Sequence, residues 1–224
     1  MLEAAKDSSA PAEDALEKLC RAYWYPLYVY VRRRGYPPHD AQDLTQSFFE
    51  RLLGKKYLSG VDRNKGKFRS FLLAALEHFL ANDWRRSQAQ KRGGGVNFIS
   101  LDDDSLEGQY LQLAAALPPG KLYERQWAAT LLEQVLAQLR AEFVAADKEA
   151  LFQELKIFLT GEKRTIAYAE LGARLGTTEA ALKMAVNRMR HRYGELLREE
   201  IAKTVSSPEE IEEELRALFA ALSS

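Results

Sequence analysis

Hydrophobic and polar residues recur along this chain with the spacing of α-helices. In HDAQDLTQSFFERLL, residues 39–53, the apolar residues follow steps of three and four, which place them on one face of a helix. That face is predicted to hold Ala41, Leu44, Phe48 and Leu52. The opposite face is polar and partly acidic, and it holds Asp43, Gln46, Ser47 and Glu50. The same spacing predicts helices over residues 12–34, 38–53, 67–90, 121–145, 147–160, 168–176, 178–202 and 208–222.

Loops between these helices suggest the domain organisation. The loop 92–121 begins with three glycines and ends with Pro118-Pro119-Gly120, and both sequences break helices. A connection of this length is unusual inside a compact domain, so we interpret it as an interdomain linker or a functional loop. The predicted fold class is all-α, with two small helical domains joined by a long linker. The predicted parts are an N-terminal domain (1–92), an acidic linker (93–120), a C-terminal domain (121–205) with a helix-turn-helix, and an acidic amphipathic helix (206–224).

The composition is that of a protein with packed cores, because 46% of the residues are hydrophobic and 29% are charged. No apolar run approaches the roughly 20 residues that cross a bilayer, and the N-terminus lacks the features of a signal peptide. Cys20 is the only cysteine, which excludes an internal disulfide and a cysteine-cluster metal site. These features predict a cytoplasmic protein without membrane insertion.

Charge is balanced in total but segregated along the chain. The net charge is zero, which by itself argues against a nucleic-acid-binding protein. Basic residues nevertheless cluster at 32–34, 84–92 and 183–198, whereas acidic residues cluster at 101–108 and 206–215. Such segregation predicts an anionic partner for the basic patches and a different partner for the remaining surface.

The segment 168–197 has the most specific pattern in the chain. Leu171 and Leu175 mark the inner face of a short helix, and Gly176 provides a turn. Thr177 and Thr178 both offer oxygens that can cap the next helix, in which Glu179 is favourable in the first turn. A short helix, a glycine turn and a capped second helix form the helix-turn-helix layout, in which the second helix enters the major groove of DNA.

The outer face of that second helix has the residue types that contact DNA. Ala180 and Ala181 are small enough to let the helix approach base edges. Asn pairs with adenine edges and Lys with guanine edges, and Arg binds phosphates. The candidate DNA-contacting residues are Thr178, Glu179, Ala180, Lys183, Met184, Asn187, Arg188, Arg190 and Arg192, with His191 among them. The alternative is an ordinary basic helix in a bundle.

A second candidate interface lies in residues 66–92, where an apolar helix becomes basic and aromatic at its end. Phe68, Phe71, Leu72, Ala75, Phe79 and Leu80 are mostly core residues by their spacing. The end of the helix combines an aromatic ring with cations, a mixture that stacks on unpaired bases and holds their backbone. These residues are Trp84, Arg85, Arg86, Lys91 and Arg92. For Trp84 a core or lid position is the equally weighted alternative.

No pattern of residues predicts an enzyme, a metal site or a cofactor. The chain has neither the phosphate-binding GxxxxGK[ST] sequence nor the HExxH sequence. His39, His78 and His191 are far apart and have no metal-ligand spacing.

With these parts in order, the chain resembles a bacterial RNA polymerase sigma factor of the extracytoplasmic-function type. WYPLYVYVRRRGYPPHDAQDLTQSFFERLL resembles that family's opening segment with its "DAEDLxQExF"-like motif. KFRSFLLAALEHFLANDWRR resembles the helix that melts and recognises the −10 promoter element, and AELGARLGTTEAALKMAVNRMRHRYGELL resembles the −35-reading helix-turn-helix. The resemblance covers about residues 15–92 and 125–200. It implies a non-enzymatic protein that binds core RNA polymerase, directs it to promoters and opens the duplex.

The resemblance also assigns expected roles to individual residues. For polymerase binding the resemblance matches Asp40, Asp43, Gln46 and Phe49, which would face the β′ clamp coiled coil, and the β subunit is a further expected contact. Ser47 and Glu50 on the same polar face complete that candidate set. For the −10 element the resemblance matches Phe68, Phe71, Leu72, Arg85 and Arg86, and the composition of the helix end adds Trp84, Lys91 and Arg92. Thr178, Leu182, Lys183 and Arg188 match the helix-turn-helix pattern of the −35 set. The acidic residues Asp102–Asp104 and Glu107 lie where the family passes a connector through the polymerase channel, and a solvated loop is the alternative.

The chain departs from the family pattern at several positions. Phe71, His78 and Asn82 stand where Trp, Asn and Asp are common, so the −10 sequence stays open, and Ala185 leaves the −35 preference open. Gln42 and Ser47 replace usual carboxylates, which predicts weaker attraction to a basic coiled coil. Ser47 points outward whereas Thr45 lies nearer the buried stripe, so Ser47 is a candidate phosphorylation site for a Ser/Thr kinase. A phosphate there would add about −1.5 to −2 charges and restore the acidic patch.

The C-terminal tail lies outside the resemblance. Ser207-Pro208-Glu209-Glu210 predicts a helix start with Pro at the first helical position and a capping-box Glu. The helix is expected to pack on the second domain and to shield the basic recognition helix, with a docking or inhibitory helix as the alternative. Two other functions are weighed against the sigma factor, a free-standing helix-turn-helix regulator and a sigma-like protein-interaction adaptor. An anti-sigma factor would be a separate chain.

Overall fold

The computed structural model describes residues 10–53, 67–89, 107–108, 110, 117–160 and 168–223, and within them the side chains outside 10–21, 84–89 and 160. These residues form helices and turns, with no strand among them, which confirms the all-α prediction for this part of the chain. The helices are α1 (Ala10–Arg33), α2 (Pro38–Leu53), α3 (Phe68–Ala89), α4 (Pro119–Ala145), α5 (Glu149–Leu155), α6 (Ile157–Thr160), α7 (Tyr168–Arg174), α8 (Glu179–Ala202) and α9 (Pro208–Leu222). None of the helices in these ranges is long and apolar enough to span a membrane.

Two helix boundaries differ from the prediction for local reasons. Helix α4 begins at Pro119, inside the predicted helix-breaking sequence, because a proline at the first helical position needs no hydrogen-bond partner for its nitrogen. The single helix predicted over 147–160 is wrong, since Lys156 forms a turn between α5 and α6. Before α5, Asp147 takes the left-handed conformation (φ 56°) and ends α4, a conformation that Asp tolerates better than most residues.

The chain divides into two compact units, Met1–Thr130 with Ile201–Ser224 and Leu131–Glu200. In the first unit, aromatic and aliphatic side chains of α1, α2 and α3 form the core. The ring of Phe48 on α2 packs edge-on against Phe79 on α3 at 5.8 Å, and Tyr23 on α1 packs edge-on against Phe68 at 5.6 Å. Gly35 makes the turn from α1 to α2 with a φ of 96°, a conformation that favours glycine. The predicted linker lies largely outside the described residues, so the predicted domain boundaries stay a prediction.

The C-terminal helix packs in the first unit, not on the second domain as the sequence predicted. Helix α9 belongs to the first unit, and it buries Leu215, Leu218 and Ala221 there. Its Glu214 pairs with Arg69 at the start of α3, a contact between residues 145 positions apart that no local pattern reveals. Pro208 is at the helix start as predicted, but Glu210 accepts a hydrogen bond from the Ser206 amide (2.7 Å) instead of capping Ser207.

The second unit has its own core, formed by the second half of α4 together with α5, α7 and α8. Fully buried aliphatic side chains come from each of these helices: Val135, Leu139, Leu155, Leu171 and Leu182. Phe143 and Phe152 pack edge-on at 5.6 Å and join the end of α4 to α5. This core fixes the orientation of α8, the helix predicted to read DNA.

Candidate nucleic-acid interface

The turn between α7 and α8 is built by backbone hydrogen bonds and one threonine cap. Gly176 has a φ of 65°, and the Thr177 amide donates to the Gly172 carbonyl at 2.9 Å. Thr178 Oγ1 accepts a hydrogen bond from the Ala181 amide (3.2 Å), so Thr178, of the two predicted candidates, caps α8. The predicted sequence of short helix, glycine turn and capped helix is therefore present in these residues. Its assignment as a DNA-binding helix-turn-helix module stays a prediction.

Gly172 permits the close approach of this turn to α7. The residue is buried, and a Cβ atom there would lie only 3.0 Å from the Thr177 carbonyl oxygen, a backbone atom that has little freedom to move. This role was not predicted from the sequence. The sequence does contain a signal for it, because Gly172 stands inside a helical pattern. Glycine lowers helix stability, so its presence there indicates that the backbone packs closely against another segment.

One face of α8 is exposed and carries side chains that suit nucleic acid. Ala180, Met184, Asn187 and Arg188 are exposed and follow helical steps of three and four, whereas Leu182, Val186 and Met189 are buried on the other side. Met184 is 61% exposed, more than any other large apolar side chain among the described residues. Among the described residues, neither Asn187 nor Arg188 has an intramolecular hydrogen-bond or ion-pair partner. This face is therefore free to contact a ligand.

Two other predicted DNA-contacting cations are engaged within the second unit. Lys183 Nζ lies 2.6 Å from Glu179 Oε1 and 5.7 Å from the centre of the Tyr168 ring, and the hydrogen bond to Glu179 raises the pKa of Lys183. Arg190 donates two hydrogen bonds to the Phe158 carbonyl, at 3.0 and 3.3 Å. Both side chains are exposed and therefore accessible to DNA. Because each already has a partner, either cation would have to exchange that partner for a phosphate.

Arg192 is the most strongly engaged of the predicted contacts. Its guanidinium donates to both carboxylate oxygens of Glu142 (2.7 and 3.0 Å) and also contacts Glu195 and Glu199 at 3.0 and 3.2 Å. The hydrogen bond from Arg192 holds the pKa of Glu142 below its usual value, and the same bond raises the pKa of Arg192. Arg192 therefore joins α8 to α4 in this structure, with its charge balanced by carboxylates rather than offered to DNA.

The residues predicted to bind polymerase share one face of α2, except Phe49, which is buried. Asp40 and Glu50 are exposed, and Asp43, Gln46 and Ser47 are partly exposed on the same side of the helix. His39 Nδ1 lies 3.3 Å from Asp43 Oδ2, and Gln46 Nε2 donates to Glu50 Oε1 at 3.3 Å. Ser47 lies one turn from both Asp43 and Glu50, so a phosphate there would extend an acidic surface. Phosphorylation itself stays a prediction.

The buried stripe of α2 is rotated relative to the predicted stripe. It consists of Ala41, Thr45, Phe48, Phe49 and Leu52. Phe49, predicted to contact polymerase, is only 5% exposed and belongs to the core, whereas Leu44, predicted to be core, is partly exposed. Thr45 points inward as predicted, and its hydroxyl donates to the Ala41 carbonyl at 2.7 Å, which satisfies a buried polar group.

The predicted −10 residues fall into two groups. Phe68 is 4% exposed and packs against Tyr23, and the Phe71 ring lies 6.0 Å from the Phe68 ring in a partly buried position. In this structure Phe68 is therefore a core residue. The side chains of Trp84, Arg85 and Arg86, and all of Lys91, Arg92 and Asp102–Asp104, lie outside the described residues.

A buried cluster of charges at the start of α3 was not predicted from the sequence. Arg69 donates to Glu214 Oε2 through Nε (2.7 Å) and to Glu214 Oε1 through Nη2 (3.3 Å), and its guanidinium lies 4.8 Å from the centre of the Trp127 ring. Lys67 Nζ lies 2.8 Å from Glu214 Oε1. Burial, the largest influence, lowers the pKa of Arg69, but the hydrogen bond and charge of Glu214 outweigh it and the pKa is raised. Glu214, itself only 2% exposed, is thus held by two cations.

The described residues of the predicted acidic linker contact α1, and Arg33 Nε donates to the Leu117 carbonyl at 2.8 Å. Glu107 pairs with Arg32 and accepts a hydrogen bond from the Tyr28 hydroxyl at 3.0 Å, while the Arg32 guanidinium lies 4.8 Å from the centre of the Tyr110 ring. The hydrogen bond from Arg32 holds the pKa of Glu107 below its usual value. In this structure the Glu107 charge is balanced by Arg32, and the role of the acidic linker stays a prediction.

The contact between Glu107 and Arg32 predicts an acid-sensitive contribution to stability. The folded chain lowers the pKa of Glu107, so near pH 4 the folded state binds fewer protons than the unfolded state and stability rises with pH. The contribution is present above the unfolded value of about 4.3 and is lost as pH falls through the folded pKa. We expect Glu107→Gln to destabilise the protein at pH 6 and the difference to shrink as pH falls below about 4.3, as measured by urea unfolding at several pH values. A pH-independent difference between the two proteins would contradict the expectation.

Among the described residues, no group of three or more His, Cys, Asp or Glu side chains is arranged to hold a metal ion. The chain matches no protein-family model, no curated protein and no solved structure with which it was compared. Its function is therefore inferred from the geometry of its own residues and from the sequence resemblance alone.

Proposed function

We propose that this chain is a transcription initiation factor that binds core RNA polymerase and directs it to promoters. The observation that carries the proposal is the exposed face of α8, where Met184, Asn187 and Arg188 follow a threonine-capped turn. A methionine, an amide and a cation on the exposed side of such a helix can meet the methyl groups, base edges and phosphates of a major groove. This supports reading of a −35 element by α8.

The acidic face of α2 supports the polymerase half of the proposal. Asp40, Asp43 and Glu50 give this face its charge, and all three are at least partly exposed. Complementary charge across an interface governs association rate and partner choice, and placing like charges opposite each other costs several kcal/mol. We propose that these carboxylates meet the basic surface of the β′ clamp coiled coil, as the sequence resemblance implies.

Reversing the charge of this face tests the proposal. Asp40→Lys combined with Glu50→Lys should weaken binding to core RNA polymerase by at least tenfold, because two attractive contacts become repulsive. The matched control is Glu133→Lys with Glu170→Lys, which changes the net charge equally at two exposed positions in the second unit. Affinities can be measured by biolayer interferometry with immobilised core polymerase. Equal affinities for the two variants, or no binding by the unmodified chain, would contradict the proposal.

Binding to duplex DNA without polymerase, and transcription with it, separate the two other functions. A free-standing regulator would bind duplex DNA tightly without polymerase, whereas the proposed factor should gain promoter selectivity only with polymerase. An adaptor would bind polymerase but support no promoter-specific transcript. The intramolecular engagement of Lys183, Arg190 and Arg192 leaves few free cations on α8, which is consistent with weak duplex binding by the chain alone.

A further inference from the structure

We propose that α9 is an intramolecular clamp, which occupies with Glu213 and Glu214 a cationic site formed by Lys67 and Arg69. The exchangeable ligand of this site is the phosphate backbone of the promoter strand. The inference rests on the proposed function, since it assigns a regulatory contact to the helix predicted to melt the −10 element. It places the tail on the first unit, not on the recognition helix that the sequence pattern favoured.

The contacts describe a site for an anion. Arg69 presents Nε and Nη2 to the two oxygens of Glu214, and Lys67 Nζ contacts Glu214 Oε1 at 2.8 Å and Glu213 at 3.5 Å. A guanidinium offers two parallel donors that fit a carboxylate and a phosphate equally well. The charge environment also includes Glu124, 3.5 Å from Arg69 Nη1, so one carboxylate would remain when the clamp leaves.

The site is open on one side to an exchanging anion. The Lys67 side chain is 26% exposed and that of Glu213 is 57% exposed, whereas Glu214 is buried. A second strand could therefore reach Lys67 first and then compete for Arg69. The Phe68 amide donates to the Thr204 carbonyl (3.4 Å), so the segment leading into α9 also covers the start of α3.

The energetics favour exchange over permanent closure. The attraction within a buried ion pair is largely offset by the loss of hydration of both ions, so the Glu214 contacts add little net binding to α9. Apolar contacts of Leu215, Leu218 and Ala221 hold the helix, while Phe219 remains exposed at its outer side. A polyanion that contacts both cations replaces the charges that Glu213 and Glu214 supply and gains the release of its own counterions.

The consequence is that promoter contact and tail docking exclude each other. In the docked state Lys67 and Arg69 are neutralised beside the predicted −10 residues Phe68 and Phe71. When α9 leaves, two cations and the start of the predicted melting helix become accessible together. The tail therefore lowers affinity for single-stranded DNA until a promoter strand, presented by polymerase, displaces it.

Binding of the full-length chain to a fluorescein-labelled single-stranded 20-mer oligonucleotide tests the clamp. Glu214→Gln should bind at least tenfold more tightly by fluorescence anisotropy than the unmodified chain. The dependence of log K on log salt should stay close to that of the unmodified chain, because Lys67 and Arg69 contact the same phosphates in both chains once α9 has left. Lys67→Ala added to Glu214→Gln should lower the slope by about 0.7, the contribution of one phosphate contact with a single strand. The control is Glu212→Gln, which removes an exposed charge from the same helix and should stay within twofold of the unmodified chain.

Hydrogen–deuterium exchange of the unmodified chain gives a result that does not depend on any variant folding. Addition of the oligonucleotide should accelerate amide exchange in residues 208–222, because α9 leaves its site. Slower or unchanged exchange in the DNA-bound chain would overturn the clamp, as would a Glu214→Gln variant that binds no better than Glu212→Gln.

The two proposals fail in different ways. If the chain supports promoter-specific transcription while exchange in α9 is unaffected by DNA, the clamp is wrong and the initiation function stands. If the oligonucleotide displaces α9 but the chain does not bind core polymerase, the initiation function is wrong and the clamp stands.

Discussion

Replacing Arg69 by methionine should lower the free energy of unfolding by about 3–5 kcal/mol, because it leaves the buried Glu214 carboxylate without its main partner. Arg69 supplies two of the hydrogen bonds to Glu214, and Lys67 alone cannot satisfy both oxygens. Methionine keeps much of the volume of the arginine stem, so the loss of stability reflects mainly the missing positive charge. Urea unfolding followed by far-ultraviolet circular dichroism measures the difference.

A double variant and a control variant complete this experiment. Arg69→Met with Glu214→Leu should recover most of the lost stability, since a well-packed apolar pair can replace a buried ion pair at little or no cost. Arg125→Met removes a partly exposed arginine of the first unit and should cost less than about 1 kcal/mol. A double variant no more stable than Arg69→Met would show that Glu214 does not impose the penalty.

The second large effect is on promoter binding, where substitutions of Arg188 and Arg192 on α8 should give different results. Arg188→Ala should weaken binding of the polymerase complex to promoter duplex about tenfold and reduce the salt slope by about 0.9, the contribution of one phosphate contact. Arg192→Ala should change the salt slope much less, because the Arg192 charge is already balanced by Glu142, Glu195 and Glu199. Its main effect should be a loss of stability in the second unit.

Base recognition can be separated from phosphate contact in the same experiment. Asn187→Ala should reduce discrimination between the preferred promoter and a point-substituted one by about 1–3 kcal/mol while leaving the salt slope unchanged. Binding is measured by anisotropy at several salt concentrations. Equal losses of salt slope for Arg188→Ala and Arg192→Ala would contradict the assignment of Arg188 as the free contact.

The helices were predictable from the sequence because their signals are local. The apolar spacing of α2 and α8, the glycine turn at Gly176 and the threonine cap at Thr178 each act within a few residues. The rotation of the α2 stripe was not predictable in this way, since Leu44 and Phe49 are both apolar and spacing alone does not decide which one is buried. Tertiary packing decides it, and in the folded chain Phe49 is the buried one, with 5% exposure.

The charge contacts were not predictable because their partners are distant in the chain. Arg69 and Glu214 are 145 positions apart, and Arg192 and Glu142 are 50 apart. The sequence pattern marked the stretch around Arg192 as basic and did not single out Arg69, and composition does not reveal which cations the fold neutralises. Consequently the structure differs more from the predicted interface than from the predicted helices. Asn187 and Arg188 are exposed, whereas Arg190 and Arg192 form contacts within the second unit.

In vitro transcription with core RNA polymerase on a library of genomic fragments, followed by mapping of transcript 5′ ends, tests the proposed function most directly. We expect core polymerase with this chain to start at a defined set of sites that share elements near −10 and −35, and core polymerase alone to give none of them. A pattern of 5′ ends that is the same with and without the chain would contradict the proposal that it is an initiation factor.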